Sequence, residues 1–195
     1  MPITTLDDHT ALVVVDLQNG ALGRPAAPHP VQDVIARTAD LAAAFRSHGL
    51  PVVLVRFTTA ADGSDATPGR TDMSGRAGGT PPEGWDAVVD DLAGHPDDIL
   101  VTKRNWGSFH GTDLDVRLRR LGVTQVVLTG IATSLGVEST ARAAHEHGYH
   151  VTVATDAVTD INPDAHAGSL RNVFPLLAET GTTAEITELL AGSRS

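Results

Sequence analysis

The sequence predicts an α/β fold of three layers, in which a mainly parallel central β-sheet is flanked by helices. The first observation is a set of continuous valine-rich runs, such as Leu12–Val15, which lack the polar alternation of a half-exposed strand. Runs of this kind suit strands covered on both faces, as in parallel sheets. The second observation is that helical patterns lie between these runs and end at a glycine directly before the next strand. This order is typical of the β-α-β crossovers of a Rossmann-like fold.

Five apolar runs are interpreted as strands: Ala11–Leu17, Pro51–Phe57, Ile99–Thr102, Thr124–Gly130 and His150–Thr155. Between the first two, Val31–His48 carries one largely apolar stripe at helical spacing and stops at Gly49. Two further helical patterns, Thr112–Leu121 and Ser134–His147, are each followed by glycine and then by a strand. The alternation of strands and helices therefore covers most of the chain.

The C-terminal part of the sequence predicts one more helix. Asn162 followed by Pro163 has the pattern of an N-cap with proline in the first helical position, and the helix is expected to run to about Glu179. Pro175 should kink or shorten it. For Thr182–Leu190 a short last strand and a closing helix both remain open.

A long segment without helical or strand periodicity, Thr58–Trp85, follows the second strand. It contains six glycines and three prolines. Loops of this length in a compact domain are usually functional or disordered, and open α/β sheets bind ligands at the carboxyl ends of their strands. The loop is therefore expected to border a ligand site.

Composition limits the classes of function. The 195 residues favour a single domain over residues 1–195, and the sequence has no cysteine, which excludes disulfides, thiolate metal sites and cysteine nucleophiles. The formal net charge of −10 disfavours nucleic acid and anionic membranes as partners. Met1–Thr10 lacks the basic region of a signal peptide, and no apolar run has the length of a membrane span. A cytoplasmic location is expected.

Polar residues at the carboxyl ends of the predicted strands are the candidates for chemistry. Asp16 ends an almost wholly apolar strand, where burial should raise its pKa or require a cationic partner. Lys103 leaves another buried strand, and Gly136 lies in the first turn of a helix, whose free N–H groups could bind an anion. The alternatives are a capping turn acid, an exposed strand-end lysine and a glycine required only for packing.

The segments around these residues resemble the isochorismatase-like hydrolases, also called cysteine hydrolases. The resemblance rests on Asp16 in VVVDLQN, Lys103 in TKRNWGSF and the stretch GIATSLGVESTARAA, and it spans nearly the whole chain. In most members these segments supply an aspartate, a lysine and a nucleophilic cysteine that cleave amide-type C–N bonds. Asp16 and Lys103 fall on the first two positions, and Gly136 falls on the third.

The resemblance implies a function without a thiol. Isochorismatases proper have glycine at this position and hydrolyse a vinyl ether with an aspartic acid as general acid. We therefore expect Asp16 to protonate an enolpyruvyl-like group, Lys103 to organise the polar network, and Gln18 to hold substrate or water. The turn Ala132-Thr133-Ser134-Leu135 is, in contrast, more similar to the amidase branch. A water-mediated amide-like hydrolase and a catalytically silent small-molecule binding relative are the alternatives.

Further residues are candidates for the substrate pocket. Arg70, Arg76 and Trp85 in or beside the long loop could supply an arginine fork and an aromatic wall for a carboxylate substrate, and solvated arginines are the alternative. A second group comprises Trp106, Phe109, Ile131, Ala132 and Thr133. Core packing is the alternative for the two aromatic side chains. The resemblance also implies a cis peptide between Ile131 and Ala132.

No cofactor or metal is expected. The stretch after the second strand lacks the Asp-x-His arrangement of the metal-binding relatives, and His145, His147 and His150 have no common face. No glycine-rich phosphate loop is present. The expected partner is a small-molecule substrate, and the resemblance implies a homodimer or homotetramer.

Overall fold

The computed structural model describes residues 1–65, 69–72 and 81–192, which form a six-stranded parallel sheet with helices on both faces. The strands lie in the order β3-β2-β1-β4-β5-β6. Their bounds are β1 Thr10–Val15, β2 Val52–Phe57, β3 Ile99–Lys103, β4 Gln125–Ile131, β5 His150–Thr159 and β6 Glu179–Gly181. This architecture confirms the predicted fold class. None of the described helices is long and apolar enough to cross a membrane.

The helices divide between the two faces of the sheet. They are α1 Val31–Ser47, α2 Leu114–Arg120, α3 Glu138–Glu146, α4 Pro163–Gly168 and α5 Thr183–Gly192. Leu12 and Val14 of β1 pack in the core that includes residues of α1 and α5. Val13 and Val15 pack in the core that includes residues of α2 and α3. Because successive strand residues point to opposite faces, the continuous valine run fills both cores.

The C-terminal region differs from the sequence-based expectation. The helix predicted to reach about Glu179 ends at Gly168 and continues as a π-helical turn and a 3₁₀ turn, Ser169–Val173 and Phe174–Leu176. Pro175 lies within the 3₁₀ turn, where its ring and missing N–H prevent a regular helix from continuing. The chain then forms the short strand β6, which the sequence analysis missed, and the closing helix α5.

The segment after β4 also differs in detail. The predicted helix Ser134–His147 is an α-helix only from Glu138, because Thr133–Val137 forms a π-helical turn. Strand β5 extends beyond Thr155 to Thr159, and its register against β4 shifts between Leu128 and Gly130. The Ile131–Ala132 peptide is cis, as the resemblance implies.

Candidate active site

The carboxyl ends of β1, β3 and β4 bring three of the predicted residues together. Asp16 directly follows β1, Lys103 is the last residue of β3, and Gly136 lies in the π-helical turn after β4. Strand β1 lies between β2 and β4, and β2 carries β3 on its far side. Parallel strands end at the same edge of a sheet, so residues distant in sequence meet there.

Asp16 forms an ion pair with Lys103. The Oδ2 atom of Asp16 lies 2.8 Å from Lys103 Nζ, and the exposed fractions of the two side chains are 20% and 1%. The backbone of Asp16 has a positive φ of 55°, and its N–H donates to the carbonyl of Val55 at 2.9 Å. The Oδ1 atom is buried and has no hydrogen-bond partner among the described residues. One oxygen of the carboxyl group is therefore held by Lys103, and the other has no hydrogen bond to the described residues.

Burial raises the pKa of Asp16 from 3.8 to about 6, although the neighbouring Lys103 ammonium acts in the opposite direction. Desolvation is the larger influence because the charged carboxylate loses its hydration at the end of a fully buried strand. A carboxyl group with this pKa is protonated in about half of the molecules at pH 6 and in about a tenth at pH 7. Such a group can donate a proton as a general acid.

Lys103 is the single lysine of the 195-residue sequence. Its ammonium group donates hydrogen bonds to Asp16 and to the backbone carbonyl of Trp106. A lysine with 1% exposure is unusual, since lysines are almost never fully buried without a partner. Both its place at the end of a strand and its being the one lysine of the sequence therefore indicate a functional role for Lys103.

Gly136 faces both members of the ion pair. A Cβ atom at this position would lie 3.1 Å from Asp16 Oδ2 and 3.3 Å from Lys103 Nζ. The Gly136 carbonyl accepts a hydrogen bond from the Thr140 hydroxyl at 2.6 Å, and Thr140 in turn accepts from the Ser108 N–H at 3.1 Å. The turn that carries Gly136 is thus tied to the segment after β3. A residue with a nucleophilic side chain at 136 would contact the acid and the ammonium directly.

A cavity of about 320 Å³ lies beside these groups. Its walls are mainly aromatic and aliphatic, and the rings of Phe57 and Trp85 meet edge to face with centroids 6.2 Å apart. The lining residues are Asp16, Gln18, Gly20, Ala21, Arg24, Phe57, Trp85, Asn105, Trp106, Ile131, Ala132, Leu135, Gly136 and Ile161. The Trp85 indole lies so close to Gly20 that a Cβ there would be 2.2 Å from its Nε1 atom. The cavity suits a small ligand with an apolar body.

The structure places Gln18 on the cavity wall but gives its amide another partner. Gln18 Oε1 accepts from the Phe57 N–H at 2.8 Å, and Nε2 donates to the Phe57 carbonyl at 3.0 Å. Gln18 therefore ties the chain after β1 to the end of β2. Gln18 lines the cavity, and the expectation that it holds substrate or water stays a prediction.

Two predicted pocket residues lie in the core instead. Phe109 is stacked on His147 with ring centroids 5.1 Å apart, and it is buried in the cluster that contains residues of α2 and α3. Thr133 is fully buried, and its hydroxyl lies 2.9 Å from His166 Nδ1. Neither lines the cavity. Phe109 is a core residue, which is the alternative that the sequence analysis gave for it. Thr133 is likewise buried away from the cavity.

The remaining predicted residues divide in the same way. Trp85, Trp106, Ile131 and Ala132 line the cavity. Arg70 is exposed and is absent from the cavity lining. Arg76 lies outside the described residues.

Seven lining residues were not identified from the sequence: Gly20, Ala21, Arg24, Phe57, Asn105, Leu135 and Ile161. Asn105 follows Lys103 by two positions, so its place just after the end of β3 was an available signal. Arg24 lies between β1 and α1, and Ile161 lies between β5 and α4. No local sequence pattern predicts that these loops border the cavity.

Metal ligation has no support in the part of the chain that the structure describes, since no group of three or more His, Asp or Glu side chains could hold an ion there. His147 stacks on Phe109, and its Nδ1 atom lies 3.8 Å from Asp115.

Comparison with known proteins identifies the family of this chain. The isochorismatase domain family matches residues 10–185. The uncharacterized isochorismatase family protein YecD of Escherichia coli O157:H7 is 41% identical over 181 residues, which cover 93% of this chain and 96% of that protein. The ureidoacrylate amidohydrolase RutB of Methylorubrum extorquens is 34% identical over 202 residues, covering 88% of this chain and 79% of the relative.

A solved structure extends the comparison to three dimensions. An isochorismatase family protein from Burkholderia thailandensis is 45% identical, has a TM-score of 0.91, and covers 96% of this chain and 98% of its own. The sequence match and the shared architecture thus extend across the strands that carry Asp16, Lys103 and Gly136. The chain belongs to the isochorismatase family of hydrolases.

Proposed function

We propose that the protein hydrolyses a vinyl ether of the isochorismate type and releases pyruvate, with Asp16 as the general acid. One observation carries the proposal: a carboxyl group with a pKa of about 6 lines the cavity beside Gly136, where no nucleophilic side chain is available. The sequence contains no cysteine at any position. Proton donation is therefore the chemistry that these residues support best.

The reaction needs one proton and one water molecule. Asp16 donates its proton to the terminal methylene carbon of the enolpyruvyl group, which forms a C–H bond and leaves an oxocarbenium ion on the adjacent carbon. Water adds to that carbon and returns one proton to Asp16, which gives a hemiketal. As the C–O bond to the ring oxygen breaks, the hemiketal hydroxyl loses its proton and the ring oxygen gains one. The products are pyruvate and the ring alcohol, and Asp16 is again protonated.

Lys103 has a defined part in this scheme. Proton donation leaves a carboxylate on Asp16, and the ammonium 2.8 Å from its Oδ2 atom stabilises that negative charge. Before the reaction, burial keeps a fraction of Asp16 protonated despite the same ammonium. General acid catalysis of this kind contributes about 10²- to 10⁴-fold in rate.

A second candidate is water-mediated hydrolysis of an amide-like C–N bond. It is favoured by the 34% identity to RutB, whose name describes a ureidoacrylate amidohydrolase. Without a thiol, water would attack the carbonyl carbon directly, and the deprotonated form of Asp16 would act as the base. The two candidates therefore require opposite protonation states of one residue.

Product analysis distinguishes the candidates. Purified protein is incubated separately with isochorismate and with ureidoacrylate, and pyruvate and ammonia are quantified. We expect pyruvate from isochorismate, loss of at least about 10²-fold in rate for Asp16→Asn, and an unchanged rate for Asp40→Asn, a control at an exposed residue of α1.

Other outcomes contradict the proposal in different ways. Ammonia without pyruvate supports the second candidate. Thermal stabilisation by isochorismate with no product supports a silent binding protein. Pyruvate release that is equal in wild type and Asp16→Asn removes Asp16 from the mechanism.

A further inference from the structure

We propose that Arg24 binds a substrate carboxylate at the mouth of the cavity, so that the site selects ring-bearing acids whose second carboxylate is remote from the reacting group. This inference rests on the proposed function, because it places the reacting vinyl ether at Asp16. It assigns the anion-binding role to the connection between β1 and α1.

Arg24 and Asp16 are the charged members of the cavity lining in the described part of the chain. Asp16 is mostly buried next to Gly136, whereas Arg24 is exposed. A ligand that reaches the carboxyl group of Asp16 therefore has its far end near the guanidinium. Asp16 thus marks the inner end of the cavity, where the reaction would occur, and Arg24 marks its outer end, where an anionic group could bind.

The Arg24 guanidinium is available to a ligand. Within the described ranges it forms no ion pair or hydrogen bond, whereas Arg46, Arg56 and Arg117 are paired with aspartates at 2.6, 3.5 and 2.6 Å. An arginine with a carboxylate partner already has part of its planar donor array directed at that partner. Arg24 retains that array at the edge of a ligand-sized cavity.

The backbone on both sides of Arg24 is anchored. Before it, the Gly20 N–H donates to the Trp85 carbonyl at 2.8 Å. After it, Ala27 and Asp160 exchange two backbone hydrogen bonds, at 2.8 and 3.1 Å. The connection is thus held to the segment that carries Trp85 and to the end of β5, which limits where Arg24 can lie. An anchored loop positions a binding residue better than a free one.

The surrounding chemistry favours a carboxylate on an apolar ring. The chain has a net charge of −10, so an anionic ligand needs a local cation to offset the overall repulsion. Trp85 and Trp106 provide aromatic surface in the same cavity. Arginine binds carboxylates through two parallel hydrogen bonds, which fixes orientation as well as charge.

The test uses a stable probe and its matched ester. The probe is 3-(1-carboxyethoxy)benzoate, whose saturated ether cannot be protonated at carbon and which carries a side-chain carboxylate and a ring carboxylate. The control ligand is its methyl ester at the ring carboxylate. Binding of each is measured by calorimetry on wild type, Arg24→Gln and Arg120→Gln, a control at an exposed arginine of α2. Arg24→Lys tests whether charge without the planar array suffices.

We expect Arg24→Gln to weaken binding of the diacid by about 10- to 100-fold and binding of the monoester by less than about threefold. Arg120→Gln should leave both unchanged, and Arg24→Lys should fall between wild type and Arg24→Gln. Equal binding of the diacid by Arg24→Gln and Arg120→Gln would overturn the assignment, and so would a wild type that does not bind the diacid. If the expected pattern holds while wild type releases no pyruvate from isochorismate, the proposed function fails and the anion site stands.

Discussion

At the scale of single residues, the ionisation of Asp16 is set by two opposing environments. Burial disfavours the carboxylate, and the ammonium 2.8 Å away favours it. The net effect is a pKa of about 6, which lies in the range where one carboxyl group can both hold and donate a proton at neutral pH.

Lys103 provides a direct reporter of this ionisation. Because the sequence has one lysine, selective ¹⁵N-lysine labelling gives a single side-chain Nζ signal. We expect its chemical shift to titrate with a midpoint near pH 6 in wild type, as the hydrogen-bonded Asp16 changes charge. The titration should be absent in Asp16→Asn. A midpoint near pH 4 would show that burial does not raise the pKa of this carboxyl group.

The sequence predicts individual residues well where strand topology positions them. Asp16, Lys103 and Gly136 follow from the ends of apolar strands and from the resemblance, and the structure brings all three into contact range. The backbone pairing of the Gln18 amide and the place of Arg24 on the cavity wall could not be predicted. Whether an amide faces a ligand or pairs with backbone depends on tertiary contacts that residue type does not reveal.

At the scale of elements, the close approach of β4 to β1 depends on Gly130. This residue has a φ of 121°, and a Cβ there would lie 2.0 Å from the Val15 carbonyl oxygen. The approach places the turn with Gly136 beside the end of β1. Glycine at this strand position is required by space as well as by backbone conformation.

We predict that Gly130→Ala lowers the free energy of unfolding by about 3–5 kcal/mol, because it combines a strained φ with a backbone clash. Urea denaturation measures the effect. Gly168→Ala is the matched control: it lies in α4 with open space around its Cβ, and it should be neutral or stabilising by up to about 1 kcal/mol. Equal stabilities of the two variants would contradict this account of the β1–β4 contact.

Elements with strong periodicity could be predicted, and short or irregular ones could not. Helix α1 and the first four strands lie within a few residues of their predicted bounds. Strand β6 has three residues, and its pattern cannot be separated from the end of a helix. The π-helical turn at Thr133–Val137 has no sequence signal of its own, because it forms where the turn is tied to Asp160, just after β5, and to Thr140 of α3.

At the scale of the whole molecule, the raised pKa of Asp16 links site chemistry to stability. The ordinary pKa of 3.8 applies to the unfolded chain, and the folded value is about 6. Between these values the folded state binds more protons than the unfolded state, so this residue makes stability fall as pH rises. The contribution is fully present below pH 3.8 and is lost above about pH 6.

We predict that wild type loses about 2–3 kcal/mol of unfolding free energy relative to Asp16→Asn between pH 4 and pH 7. Denaturant titrations of both proteins at several pH values in this range give the difference between their free energies of unfolding. The other carboxylates are common to both proteins, so their contributions cancel in this difference. Parallel stability profiles would show that Asp16 has the same pKa in both states.

The predicted single domain, cytoplasmic location and homodimeric or homotetrameric assembly are whole-molecule properties that remain predictions. The fold class, in contrast, follows from the pattern of strands and the order of their connections. The six-stranded parallel sheet of the described residues therefore confirms the predicted fold class.

The pH dependence of pyruvate release tests the acid role of Asp16 most directly. With isochorismate as substrate, kcat/KM should be highest below about pH 6 and fall about tenfold per pH unit above it, because the reaction requires the protonated carboxyl group of the free enzyme. A kcat/KM that stays constant or rises between pH 6 and pH 9 would contradict proton donation by this residue.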